Sequence, residues 1–129
     1  MKSYTDIEQS RKLAEILPIK SADMHYARIE DDDETRDWTV YLSPFPKICS
    51  LYVENLPCWS LAALLNSLPI SCDDGHHCLT LINANPYGEI EWICCYEDSK
   101  GDWLHECYAN NQVDACFELI LKLKENQLI

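Results

Sequence analysis

Eight cysteines and four histidines are spread through 129 residues. Thiolate and imidazole are the ligands of zinc centres and the nucleophile and base of covalent enzymes. The cysteines do not gather into CxxC pairs, and no HExxH helix, GxSxG elbow or Gly-rich phosphate loop accompanies them. The most specific arrangement they allow lies in the second half of the chain. A turn closing Asn85 onto Gly88 sets Cys78 opposite Cys95, and a turn closing Asp98 onto Asp102 sets Cys95 opposite His105. Neighbouring strands lie about 4.8 Å apart, so these three side chains would share one row on one face, the spacing a zinc ion needs. Cys72, His76 or His77, in the loop before the first strand, would supply the fourth ligand. The ordinary alternative is that each thiol is a small buried hydrophobe and the His-rich loop is solvated. A one-residue slip in either hairpin would turn a ligand to the other face.

Other candidate chemistry is thinner. Cys58 precedes a helix whose N-terminal field favours a thiolate, yet no histidine or acid stands near it in sequence and Trp59 beside it points to packing. Glu91, Glu97 and Glu106 offer carboxylates for acid–base work, but exposed charges on strand faces are their usual explanation. No spacing motif requires a cofactor, and a non-catalytic protein is the expectation. Trp103, Ile93 and Ile82 beside Cys95 and His105 would form an apolar patch if no helix covered that face, and such patches mark contact surfaces.

Several elements must position these residues. Thr5 to Leu17 reads as a helix with Thr5 and Glu8 as a capping box and Pro18 as its stop. Asp23 to Ile29 alternates like a strand, Trp38 to Leu42 has strand composition, and Ile48 to Val53 is a further short strand. The acidic run Glu30 to Glu34 separates the first two. Ser60 caps a second helix, Leu61 to Leu68. Cys78–Asn83, Glu89–Glu97 and Trp103–Tyr108 then form an antiparallel meander with turns at Asn85–Gly88 and Asp98–Gly101. A last helix, Gln112 to Glu125, carries Val113, Cys116, Phe117, Ile120 and Leu123 on one stripe. These elements predict one α+β domain over residues 1–129, an antiparallel sheet with about three helices packed on it. Its core takes in Trp59, Leu61, Leu64, Leu65, Trp92, Phe117 and Ile120.

Ten basic against 22 acidic residues leave a net charge of −12. Phosphate-backbone binding depends on Lys and Arg, so direct nucleic-acid binding is not expected. A basic protein partner, or self-association, fits better. An acidic inhibitor that imitates nucleic-acid charge to occupy a basic protein is the alternative. No apolar stretch approaches the roughly 20 residues of a membrane span. The opening Met-Lys-Ser-Tyr-Thr-Asp does not resemble a signal peptide, so reduced thiols in the cytoplasm are expected.

In whole-chain pattern the sequence resembles small uncharacterised prophage and mobile-element proteins of gut bacteria. The residues that carry this are Ala22-Asp23-Met24, Leu56 through Leu65, and Val113 through Leu123. The resemblance implies no activity. It favours an accessory or partner-binding role over a metabolic enzyme, with a Cys/His-dependent enzyme or a zinc-stabilised module as alternatives from a different class.

Overall fold

A computed structural model describes residues 2–29, 37–46, 53–84 and 91–129. The chain is an α+β protein whose described residues form three α-helices and two antiparallel sheets. They fall into two compact units, one within Tyr4–Ala63 and one within Leu64–Ile129, the latter joined by Lys2 and Ser3.

In the first unit, helix α1 (Ile7–Ile16) is followed by a 3-10 turn at Ile19–Ser21 and strands β1 (Met24–Ile29), β2 (Thr39–Tyr41) and β3 (Val53–Cys58), in sheet order β2-β1-β3. The helix is capped one residue later than the sequence suggests. Asp6 accepts from the Gln9 backbone N–H at 2.8 Å, and the Gln9 side chain accepts from the Asp6 N–H at 3.1 Å. Two overlapping capping boxes were available, Thr5-x-x-Glu8 and Asp6-x-x-Gln9, and Thr5 is committed elsewhere. It is fully buried. Its N–H donates to Trp59 O at 2.9 Å and its hydroxyl oxygen accepts from Trp59 N at 3.1 Å. That hydroxyl also lies 2.8 Å from Ser10 Oγ, while Thr5 O accepts from the Tyr26 hydroxyl at 2.6 Å.

The sequence predicts a third strand at Ile48–Val53, most of which lies outside the described residues. The observed β3 begins at Val53 and continues through Pro57, which a proline permits because β3 is an edge strand. Alternation gives the sheet two faces. Met24, Tyr26 and Cys58 form a buried cluster against which Tyr4, Ile7, Trp38, Val40 and Leu56 pack. His25, Ala27 and Ile29 project to the other side, paired across strands with Tyr41, Thr39 and Val53 respectively.

Helix α2 (Leu61–Ser67) begins where expected, with Ser60 Oγ accepting from Ala63 N at 3.2 Å. In the second unit, β4 (Ser71–Cys72), β5 (His77–Ala84), β6 (Glu91–Glu97) and β7 (Trp103–Ala109) lie in sequential order, so the meander is present as β5-β6-β7. The Asn85–Gly88 turn lies outside the described residues. Helix α3 (Gln112–Glu125) packs on β6 and β7 and buries the expected stripe. Asn111 caps it, accepting from Asp114 N at 2.9 Å. Of the expected core residues, Trp59, Leu64, Phe117 and Ile120 are buried, whereas Leu61, Leu65 and Trp92 are half-buried.

Thr5→Val keeps the shape but leaves Trp59 N and Ser10 Oγ without their buried partner, so a loss of about 1–3 kcal/mol is expected from urea denaturation. Thr5→Ser should retain most of it. Ile120→Ala, at a fully buried site, should cost about 2–5 kcal/mol. A change below about 0.5 kcal/mol, the range of ordinary surface substitutions, would contradict either assignment.

Candidate functional site

The expected Cys78–Cys95–His105 row does not form. The β5–β6 register is offset by two residues from the expected one, so Cys78 pairs with Glu97 and Cys95 with Thr80. A shift of two preserves the face but moves Cys78 one step along the sheet, where it is exposed while Cys95 is fully buried. The β6–β7 ladder starts as expected, with Glu97 opposite Trp103 and Tyr96 opposite Leu104. One extra residue of β7 then enters before Cys94 meets Cys107. This bulge places His105 and Glu106 against Cys95, and His105 adopts φ +56° to accommodate it. The imidazole stands edge-on to Tyr96, with ring centres 6.5 Å apart.

The proposed fourth ligands sit at the β4–β5 hairpin. Cys72 pairs with His77, and His76 is exposed. Asp73 and Asp74 both take left-handed conformations in the turn, with φ of 53° and 54°. His77 is buried, its Nδ1 lying 3.3 Å from Asp73 Oδ2 and its Nε2 3.8 Å from Asp98 Oδ2. The 3.3 Å approach lacks hydrogen-bond geometry, so Nδ1 has no hydrogen-bond partner among the described residues. Asp98 Oδ1 accepts from Asp102 N and Lys100 N, each at 2.9 Å. The first of these bonds is the main reason its carboxyl is held below the ordinary range. Among the described residues no three His, Cys, Asp or Glu side chains are grouped to hold a metal ion.

Three interior thiols, Cys58, Cys94 and Cys95, are held protonated. Cys58 is pushed up by desolvation, which outweighs hydrogen bonding with Thr5, Ser10 and Tyr26. Cys94 and Cys116 meet with sulfurs 3.8 Å apart where α3 crosses β6. Their contact is the first cause, and desolvation the second, of a strongly raised Cys94. Cys95 is pushed up from 9.0 to about 11, chiefly by desolvation. Neutral buried thiols are poor nucleophiles and poor metal ligands. The expected apolar patch around Trp103 is closed at its centre, because Ile93 and Cys95 are buried.

Among the described residues an open apolar surface lies instead on the outer face of β2-β1-β3, the side of the sheet opposite Tyr26. Ala27, Ile29, Thr39, Tyr41 and Val53 line a cavity of about 530 Å³. Ile29 is 56% exposed, Tyr41 47% and the adjacent Leu42 84%. His25 steadies one end: its Nδ1–H donates to Ser43 O at 2.8 Å and its ring stacks on Tyr41, with centres 5.1 Å apart. Ala27 has the smallest side chain on this face, and its lack of bulk at mid-strand leaves room for the hollow. Sequence reasoning set Ala27 and Ile29 on the same side of the strand, yet the hollow also depends on β3, most of which was not recognised as a strand.

No protein-family model matches this sequence, and neither a curated protein nor a solved structure is similar to it. No helix among the described residues is long and apolar enough to cross a membrane.

The raised groups set an alkaline limit on stability. Unfolded thiols ionise near 9 and unfolded phenols near 10, whereas burial raises folded Cys95 to about 11 and raises Tyr26 and Tyr96 as well. The folded state therefore holds more protons in that window. Its stability should be fully present below pH 9 and fall as pH rises toward 11. Urea midpoints at pH 8 and pH 10.5 test this, and Cys95→Ala should flatten part of the fall. In native protein iodoacetamide should modify Cys78 ahead of Cys58, Cys94, Cys95 and Cys116. A flat pH dependence or uniform labelling would contradict the burial.

Proposed function

We propose that this chain is a small non-catalytic interaction protein that binds a protein partner through the outer face of β2-β1-β3. The observation that carries the reading is the pair of exposed apolar side chains, Ile29 and Tyr41, that line a cavity of about 530 Å³. Concentrated exposed apolar surface is costly to maintain in water and characteristically marks a contact site. The state of the thiols supports the same reading, because burial raises Cys58 and Cys95, and contact with Cys116 raises Cys94, away from nucleophilic use.

The test is affinity capture from the source cells with the native chain and with Ile29→Asp and Tyr41→Glu. Both positions are about half exposed, so the substitutions should leave the melting temperature nearly unchanged. They should reduce capture of a specific partner about tenfold, the scale of a contact hot spot. Leu104→Glu, on β7, should retain it. Equal capture by all four proteins would overturn the assignment of this face.

A further inference from the structure

Two of the thiols in the second unit already touch. Cys94 stands in the middle of β6 and Cys116 in the second turn of α3, 22 positions further along the chain. Their sulfurs lie 3.8 Å apart, one thiol donating to the other, and both residues are fully buried. In a disulfide the sulfurs are about 2.0 Å apart, so each must move by about 0.9 Å, a shift that rotation about its Cα–Cβ bond supplies. The packing of α3 on β6 therefore holds two thiols close to bonding distance, while burial keeps an oxidant away from them. Cys107, directly opposite Cys94 on β7, is half-buried and is the natural competitor for the same sulfur.

We propose that Cys94 and Cys116 are a latent redox lock: a hydroperoxide that reaches them when α3 lifts from the sheet converts them to a disulfide that fastens the helix to β6. The conversion takes two steps. One thiol sulfur attacks the peroxide, the O–O bond breaks, and the sulfur becomes a sulfenic acid as water leaves. When α3 reseats, the second sulfur attacks the sulfenic sulfur. The S–S bond forms, the S–O bond breaks, and a second water leaves. Two electrons pass from the thiols to the peroxide, and the two thiol protons end in the waters. Local opening of α3 sets the rate, so the pair stays reduced while the helix is seated. Burial then acts in the opposite sense, because a reductant reaches the closed bond no more readily than the oxidant reached the thiols. The lock involves neither Ile29 nor Tyr41 and is independent of the binding face.

Freshly reduced protein is treated with a small excess of hydrogen peroxide, with and without sub-denaturing urea, then alkylated and mapped by mass spectrometry without reduction. A Cys94–Cys116 linkage should predominate and should form faster in the urea. Closing a loop of this length should raise the melting temperature by roughly 10 °C. Dithiothreitol should reverse the change quickly only once urea unfolds the chain. Cys116→Ala should abolish both the linkage and the shift and leave Cys94 as a sulfenic acid that dimedone traps. Cys107→Ser should retain both, which keeps the test decisive if Cys116→Ala fails to fold. Predominant Cys94–Cys107 linkage, scrambled pairing, or a Cys94–Cys116 bond that leaves the melting temperature unchanged would overturn the lock. So would reduced Cys94 and Cys116 after prolonged peroxide treatment in the urea.

Discussion

Thr5 is the constraint on which the first unit depends. A threonine with no solvent exposure is tolerated because its backbone and hydroxyl groups find partners in three separate segments: Ser10 in α1, Tyr26 in β1, and the Cys58–Trp59 junction after β3. An unsatisfied polar group in that position would be strongly unfavourable, so the segments are held in one relation. The residues around the Tyr26 and Cys58 face are thereby committed to the interior. Strand alternation then dictates that Ala27 and Ile29 point the other way. The exposed hollow is the geometric complement of a buried hydrogen-bond network.

The abundance of cysteine has a different meaning from the one its chemistry first suggests. Cys58 belongs to an apolar cluster with Met24 and Tyr26, and Cys94 and Cys116 join a strand to the helix above it. In each place sulfur fills a volume smaller than leucine would need, with some polarizability in return. Desolvation then removes the reactivity that makes cysteine useful at active sites. Reactive-group counting therefore misdirects here, and surface shape and charge are the more informative properties.

What was legible from the sequence was local. The α3 stripe, the Ser60 cap and the three meander strands all follow from periodicity and capping chemistry acting over a few residues. Four features were not legible. Thr5 and Asp6 both satisfy a capping pattern, and only the tertiary demand on Thr5 decides between them. Pro57 argues against a strand unless that strand is known to lie at an edge, which depends on its partners. The β5–β6 register was inferred from a turn outside the described residues, and the β7 bulge turns on an extra residue whose left-handed backbone nothing in a histidine announces. Candidate ligands were thus assigned to the correct strands and the wrong neighbours.

That bulge bears on how copies of the molecule meet at high concentration. β7 is the outer strand of the larger sheet and runs for seven residues, Trp103–Ala109. A straight strand of that length with free backbone groups is a template on which another chain can add and a fibril can grow. The left-handed backbone at His105 breaks the regular spacing of donors and acceptors halfway along, and Glu106 adds a charge at the same point. An incoming strand could match one half of this edge but not both. The irregularity that sets His105 and Glu106 together against Cys95 therefore hinders amyloid-like stacking on this edge.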